Sequence, residues 1–520
     1  MDERRLTRRS VLKAGAGALA GSLARPGGAL AALAGPPRPR LSEHPLGTLQ
    51  GGRVRTISLP TPADLVGLQW RAPEGGPRDG PGLQLRFATA AGTWTRWVPA
   101  EGHGHGPEGT PPEGPPGASV GDPIWTGGTT AVQVLSRGRA SDVVAHLVDV
   151  SGGIGARRRA ASLASLASGG LPLVTPALQA GPGQPPIIAR RAWALGSSPP
   201  RVAPGYGQVR MAFVHHTDSP NGYTAGEVPA MVQAIYLFHR DVNGWNDIGY
   251  NFLIDLYGRI FEARAGGIEE PVTGAHAGGF NLVSTGVAVL GTFMSTSITP
   301  AAALALQGLL AWKLSLHGVP AIGTVTVKVN PAGASYSRFP ANARVRLPHI
   351  AGHRDGDSTD CPGDVLYGEL PAIRSRALAL SPRPNRLTLT LAAASPAGPP
   401  AAGGPPGGGG PALEGSLNRL DGAPIPGAGI LIQQRLVSRR GEVVQERTIA
   451  EATSDGRGAF SVPGGFSAAA SRGLALRALY EGSGGTGACV SPPLPVTLGA
   501  PSSPSGAPAP TPGASRSPAG

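Results

Sequence analysis

A histidine and a cysteine lie eight positions apart in a short polar segment in the second half of the chain. The segment reads IAGHRDGDSTDCPGD over residues 350–364, and it contains His353 and Cys361. Cys361 is one of only 2 cysteines among 520 residues, so the sequence indicates no disulfide framework. Imidazole and thiolate both bind zinc, and a catalytic zinc usually takes three protein ligands and leaves the fourth position to water. The segment therefore supplies two of the three ligands that such a site needs.

The third ligand is expected at the end of a buried strand. The sequence VHHT over 214–217 follows a run of apolar residues and contains His215 and His216. Neighbouring side chains of a strand point to opposite faces, so only one of the two is expected to be a ligand, and the spacing alone leaves both open. Zinc lowers the pKa of its water to about 7 and polarises a carbonyl, which suits amide hydrolysis. Alternatively, Cys361 is a nucleophile with His353 as its base, or the histidines are structural.

The segment from 187 to 382 has the pattern of an α/β domain. Thr224 and Glu227 match a capping box ahead of apolar residues at helical spacing. A second helix is predicted to begin at Pro300 and to end before Gly318, and a last helix follows PGD near position 363. The predicted strands are QVRMAFVHHT, YNFLIDLYG, RIFEAR, TGVAVLGTF, GTVTVKV and RVRLPHIAG. Strands that alternate with helices favour a sheet covered by helices.

The same segment resembles the zinc-dependent N-acetylmuramoyl-L-alanine amidases, the family shared with peptidoglycan recognition proteins. Five blocks follow the order of that family, namely ARRAW, FVHHT, GWNDIGYNFLID, GAHAGGFNLVSTGVAVLGTF and GHRDGDSTDCPG. The resemblance implies a mixed β-sheet flanked by helices, with zinc in a surface groove. It also implies hydrolysis of the amide between the lactyl group of N-acetylmuramic acid and the L-alanine of the stem peptide.

The resemblance assigns roles to individual residues. It implies zinc ligands at His215, His353 and Cys361, since the first histidine of the pair is the ligand in the family. It implies catalytic roles for Tyr250 and Thr359, whose hydroxyls could orient water or donate a hydrogen bond to the developing oxyanion. Other amidases of the family carry a lysine where this chain has threonine, so a lysine-assisted role is not carried over.

Substrate-binding roles are implied for His276, Asn281 and Trp245, although Trp245 is more readily explained by packing than by stacking on a sugar. Residues 323–347 form an insertion that is predicted to make a hairpin or loop beside the groove. His216, Asp355 and Asp360 adjoin the predicted site, and they are expected to make local hydrogen bonds rather than to support the ligands.

The flanking regions predict export and two further domains. Residues 1–34 carry TRRSVLK ahead of a weakly apolar segment, which is typical of a twin-arginine signal peptide, so we expect a secreted or cell-envelope protein. Short alternating runs separated by Gly and Pro predict a β-sandwich-like domain at 41–150 and an immunoglobulin-like β domain at 412–497. The predicted linkers are 151–186 and 383–411, and the predicted disordered tail is 498–520.

The formal net charge of +13 suits a polyanionic partner such as a wall polymer, a membrane surface or a nucleic acid. The resemblance selects peptidoglycan and other cell-wall polymers, so no nucleic acid is expected, and no stretch is long enough for a membrane span. His103 and His105 are expected in a flexible glycine-rich loop. The competing functions are a peptidoglycan-binding protein without catalysis and a structural wall protein. An amidase is expected to keep its activity on soluble fragments when residues 383–520 are deleted.

Overall fold

The computed structural model describes residues 39–71, 81–89, 91–100, 117–150, 183–194, 198–381, 383–392, 412–437, 443–463, 466–468, 474–483, 486–494 and 496–498. The predicted signal peptide, His103, His105 and residues 499–520 lie outside this described part. None of the helices within it is long and apolar enough to cross a membrane.

The N-terminal region forms a sheet of seven strands with the order β1-β7-β2-β6-β3-β4, and β5 pairs with β2. The strands are β1 Arg40–Leu49, β2 Val54–Arg71, β3 Leu83–Phe87, β4 Val98–Pro99, β5 Ala118–Val120, β6 Ile124–Ser136 and β7 Ala140–Asp149. Alternate residues such as Leu83 and Leu85 of β3, and Val132 and Val134 of β6, are buried in one core. This alternation is the pattern of a strand with one covered face.

The central region is built on a mixed sheet of six strands with the order β15-β9-β12-β10-β11-β8. Its strands are β8 Ile187–Ile188, β9 Met211–His216, β10 Phe252–Ile254, β11 Ile260–Glu262, β12 Ser284–Val289 and β15 Ile350–Gly352. Its helices are α1 Arg190–Trp193, α2 Val228–Leu237, α3 Pro300–Leu316, α4 His353–Gly356 and α5 Asp364–Leu380. The four strands β15, β9, β12 and β10 run parallel, and β11 is antiparallel to β10.

Strand β9 is buried on both faces. Ala212 and Val214 pack in the core that contains α3 and α5. Met211 and Phe213 point to the opposite face and pack in a separate cluster with Phe280. Because side chains alternate along a strand, the residue after Val214 lies on the same face as Met211 and Phe213.

Two helix starts can be compared with their sequence predictions. The hydroxyl of Thr299 accepts a hydrogen bond from the backbone N–H of Ala302 at 3.1 Å, so α3 begins at Pro300 as predicted. The hydroxyl of Thr224 donates to the Glu227 carboxylate at 2.7 Å, but α2 begins only at Val228. The second residue of α2 is a proline, which has no N–H and is tolerated only in the first turn of a helix.

The insertion at 323–347 forms the predicted hairpin, with strands β13 Thr324–Lys328 and β14 Arg344–Pro348 in antiparallel register. Val327 and Leu347 on its inner face pack in the cluster with Met211, Phe213 and Phe280. A 3-10 turn, Pro331–Gly333, lies in the long connection between the strands. The hairpin therefore covers part of one face of the central sheet.

The C-terminal region contains three further sheets, with the orders β16-β17-β20, β19-β18-β22-β23 and β21-β24. The strands are β16 Asn385–Leu391, β17 Leu413–Arg419, β18 Gly429–Val437, β19 Val443–Thr453, β20 Ala459–Val462, β21 Phe466–Ala468, β22 Leu474–Tyr480, β23 Cys489–Val490 and β24 Val496–Leu498. Leu413, Leu417, Ile430 and Leu476 are among the residues of its core. The immunoglobulin-like assignment stays a prediction.

Both flanking regions pack against the central one. Gly67 of β2 contacts the ring of Phe238, which directly follows α2, so closely that a Cβ there would lie 2.2 Å from the ring. Ala488 and Val490 join the core cluster that contains α3.

Buried ion pairs also join the C-terminal region to the central region. Arg435 of β18 contacts Glu269 at 2.7 Å and also contacts Glu270, and Arg477 of β22 contacts Glu270 at 2.8 Å. The Nζ of Lys313 in α3 donates to the backbone carbonyl of Glu270 at 2.8 Å. These contacts fix the C-terminal region to the central one.

Candidate metal centre

His215, His353 and Cys361 lie together in the central region. Each offers a ligand atom within 4.8 Å of the others, and all three residues are buried. His215 is near the end of β9, and His353 directly follows β15. Because β9 and β15 are parallel neighbours, their carboxyl ends meet at the same edge of the sheet. Cys361 lies in the loop before α5, which returns to this edge.

The spacing of the ligand atoms fits a tetrahedral zinc ion. His215 Nδ1 lies 3.8 Å from Cys361 Sγ, and the rings of His215 and His353 have centroids 4.4 Å apart. Zinc bonds of about 2.1 Å to nitrogen and 2.3 Å to sulfur, at a tetrahedral angle, place the two ligand atoms about 3.6 Å apart. Two imidazoles and a thiol are also the donor types that zinc prefers, so the residues present fit this metal.

A second residue orients each histidine ligand through its Nε2. His215 Nε2 lies 3.1 Å from His276 Nδ1, and His353 Nε2 lies 2.9 Å from Asp357 Oδ2. With Nε2 of each ring held in this way, Nδ1 is the nitrogen that would bind a metal ion in this cluster. Such outer partners fix the tautomer and the ring orientation of metal-binding histidines. Gly286 of β12 leaves room for His276, because a Cβ there would lie 2.4 Å from the imidazole.

Sequence reasoning missed Asp357 and considered two neighbouring carboxylates. Asp355 accepts a hydrogen bond from the Gly352 backbone N–H at 2.9 Å, so it caps α4. Asp360 is exposed. The signal that could have selected Asp357 is its position four residues after His353, which is the spacing of one helical turn.

The two neighbouring histidines of β9 point in different directions. The backbone N–H of His216 donates to Cys361 Sγ at 3.4 Å, and its imidazole Nδ1 accepts from the backbone N–H of Phe293 at 3.4 Å. Burial raises the pKa of the Cys361 thiol, and the nearby Asp218 carboxylate raises it further. A thiolate at this position therefore depends on a bound cation, which disfavours Cys361 as a free nucleophile.

The two hydroxyl groups with implied catalytic roles lie beside the three ligands. The ring of Tyr250 lies 5.3 Å from that of His215, and burial raises the pKa of its hydroxyl, which therefore keeps its proton at neutral pH. Thr359 is half-buried, and its Oγ1 accepts the backbone N–H of Cys361 at 3.1 Å. Its own hydroxyl proton is left to donate. Both side chains can therefore act as hydrogen-bond donors.

The three residues with implied substrate contacts are buried. Asn281 Oδ1 accepts the backbone N–H groups of His276 at 2.8 Å and of Ala277 at 3.1 Å. The Trp245 ring packs on His239 with centroids 4.6 Å apart. The structure thus brings His276 and Asn281 to the metal centre as supports of His215, and a contact of any of the three with substrate stays a prediction.

The central region is similar to known proteins. The family described as N-acetylmuramoyl-L-alanine amidase matches residues 205–364, a segment that contains all three ligands. Peptidoglycan-recognition protein SC2 of Drosophila melanogaster is 29% identical over 184 residues, which are 35% of this chain and 84% of that protein. Peptidoglycan recognition protein 1 of Bos taurus is 32% identical over 161 residues, which are 31% of this chain and 69% of that protein. The solved structure of Drosophila PGRP-LB is 24% identical with a TM-score of 0.28, and the match covers 36% of this chain and 92% of that one.

The chain belongs to the family of N-acetylmuramoyl-L-alanine amidases and peptidoglycan recognition proteins. Its N-terminal region matches a second family, described as Rv3811 N-terminal galactose-binding domain-like, over residues 30–152. The predicted β-sandwich-like domain at 41–150 lies within this match, which gives the region as a galactose-binding-like domain.

Proposed function

We propose that this protein is a zinc-dependent N-acetylmuramoyl-L-alanine amidase of the cell envelope, which hydrolyses the amide between N-acetylmuramic acid and the L-alanine of the stem peptide. One observation carries the proposal: His215, His353 and Cys361 form a buried set of three ligand residues with zinc-compatible spacing. The family match supports a peptidoglycan substrate. Two relatives have names that refer to peptidoglycan recognition, and a binding protein without catalysis is the alternative.

A bound zinc ion would supply Lewis-acid activation of water and of the scissile carbonyl. The residues of this chain then have separate tasks. Asp357 and His276 hold the two imidazoles by their Nε2 atoms, and His215 Nδ1 lies 3.8 Å from the thiol sulfur. Tyr250 and Thr359 supply neutral hydroxyl donors for the charge that develops on the lactyl carbonyl oxygen. Removal of one such donor typically lowers the rate by about 10²–10³.

The test is digestion of purified muropeptides, followed by mass analysis of the products. The wild-type protein is expected to release free stem peptides. This hydrolysis should stop after treatment with a chelator and should recover when zinc is added. Activity that survives complete metal removal and is stopped by a thiol reagent would instead assign a cysteine hydrolase. Binding of muropeptides without cleavage would assign a recognition protein.

The chain offers a matched cysteine control. Cys361 and Cys489 are both free and both buried, but Cys489 belongs to the core of the C-terminal region. Cys361→Ser is expected to abolish hydrolysis and to weaken zinc binding, whereas Cys489→Ser keeps both. Equal activity of the two variants would contradict a zinc ligand at Cys361.

Export through the twin-arginine route is part of the same proposal. It rests on the sequence TRRSVLK at residues 7–13. Replacement of Arg8 and Arg9 by lysine is expected to leave the protein inside the producing cell, and cell fractionation measures this. Unchanged export of that variant would exclude the route.

A further inference from the structure

The β13–β14 hairpin lies next to the metal centre, on the same face of the central sheet. Its inner face packs on Met211 and Phe213, the residues that precede His215 on that face of β9. The connection between its strands reaches the segment between His353 and Cys361, since the backbone N–H of Arg338 donates to the Gly356 carbonyl at 3.0 Å. The next residue after Gly356 is the aspartate that orients His353.

The outer face of this hairpin is basic. Lys328 and Arg344 are paired directly across the two strands, and Arg346 follows on the same face; all three are exposed. The sequence from 323 to 349 contains no Asp or Glu. Within the described residues, these three side chains have no salt-bridge partner.

Like charges directly opposite each other destabilise an antiparallel pair. The Lys328–Arg344 pair therefore weakens the hairpin unless an anion lies between the two side chains. Arg346 donates its Nε–H to Thr324 Oγ1 at 2.7 Å, which orients the guanidinium and leaves its terminal nitrogens available. Guanidinium and ammonium groups are the side chains that bind phosphate in proteins.

We propose that the face formed by Lys328, Arg344 and Arg346 binds a phosphate-bearing anionic polymer of the cell wall. A wall polymer is favoured over other polyanions because the face lies beside the candidate amidase centre, and this choice rests on the proposed function. A polymer bound there would keep the wall next to the metal centre while successive stem peptides are cleaved. The interaction is electrostatic, so it weakens with added salt.

The test is sedimentation of the full chain with purified cell walls, before and after hydrofluoric acid removes their phosphodiester-linked polymers. The wild-type protein is expected to bind untreated walls more tightly. With three phosphate contacts, that affinity should fall roughly tenfold or more between about 50 and 200 mM salt. The variant Lys328→Glu/Arg344→Glu/Arg346→Glu and its glutamine counterpart are expected to lose the difference between the two wall preparations.

The matched control is Arg386→Glu/Arg419→Glu/Arg457→Glu, which changes three exposed arginines of the C-terminal region. It is expected to bind like the wild-type protein. Equal binding to treated and untreated walls, or hairpin variants that bind like the control, would overturn the proposal. If the hairpin variants lose binding only to anionic lipid vesicles, the face binds a membrane surface instead.

Hydrolysis of soluble muropeptides separates this proposal from the amidase function. The hairpin variants are expected to keep that activity, because the three side chains point away from the metal centre. If the wild-type protein hydrolyses no muropeptide, the amidase function fails, while the sedimentation result still decides whether the face binds phosphate.

Discussion

Asp357 and His276 occupy equivalent positions behind the two histidine ligands, but they differ in charge. Burial lowers the pKa of His276 well below its usual value, and His353 and Arg264 lower it further, so His276 is neutral where it contacts His215. Asp357 can accept a charge-assisted hydrogen bond from His353, which makes the opposite ring nitrogen a better donor to a metal. We therefore expect the carboxylate to contribute more to zinc affinity than the imidazole does.

Asp357→Asn is expected to weaken zinc binding by about 10- to 100-fold, because an amide cannot increase the basicity of His353 as a carboxylate does. The amide oxygen can still accept the backbone N–H of Gly278, which now bonds to the carboxylate at 2.7 Å. Competition with a chelator of known affinity measures the change. Asp360→Asn in the same loop is the control, and a similar zinc affinity for both variants would contradict the role of Asp357.

Tyr250→Phe is expected to lower kcat on muropeptides by about 10²–10³ while zinc affinity stays the same. The phenol is buried next to His215, and the three ligand atoms of the cluster come from His215, His353 and Cys361. Its raised pKa keeps it a donor across the neutral range, so no tyrosine ionisation should appear in the pH–rate profile there. A variant that loses zinc instead would assign Tyr250 to packing.

Among the elements, α3 has the clearest single determinant of its start. The Thr299 hydroxyl accepts from the Ala302 N–H and also donates to the Leu256 carbonyl at 2.6 Å, so it joins the helix start to the loop after β10. Thr299→Ala is expected to destabilise the central region by about 1–2 kcal/mol, seen as a lower thermal midpoint. Thr299→Ser keeps both bonds and serves as the control, and equal midpoints would argue against the cap.

Some parts of the site could be predicted from local sequence and others could not. His353 and Cys361 lie in one short segment, and β9 is predicted by its apolar residues. Asp357 is one of several carboxylates in DGDSTD, and its spacing of four residues from His353 selects it only once α4 is known to begin at His353. The substrate role implied for His276 depends on which way its ring points, and its contact with His215 joins residues 61 positions apart.

At the scale of the whole molecule, a buried ion-pair cluster joins the central and C-terminal regions, and no local sequence pattern predicts it. Arg435 bonds to Glu269 across 166 positions of sequence. Burial alone would raise the pKa of the Glu269 carboxyl, but Arg435 and Arg477 outweigh it and lower that pKa. Glu269 therefore stabilises the folded chain at neutral pH, and this contribution is lost as the pH falls through the lowered pKa. The cluster makes the C-terminal region part of the same folded unit as the central region.

Loss of one partner from this cluster should be costly. Arg435→Met leaves Glu269 and Glu270 buried with one counter-ion fewer, and removal of one member of a buried pair typically costs about 3–5 kcal/mol. Arg447→Met is the control, because Arg447 lies on the neighbouring strand but is exposed. Thermal unfolding of the full chain should show a clearly lower midpoint for the first variant only.

The same contacts bear on the deletion of residues 383–520. The sequence alone predicts that the truncated protein keeps its activity on soluble fragments, and the structure changes that expectation. The truncated chain would expose the surface of α3 that Ala488 and Val490 now cover, and would leave Glu269 and Glu270 without the two arginines. Glu270 is followed six residues later by His276, which contacts His215 of the candidate metal centre. The deletion is therefore expected to lower both the melting temperature and the hydrolysis of soluble muropeptides. Full activity and an unchanged melting temperature in the truncated protein would show that the C-terminal region is a separable module.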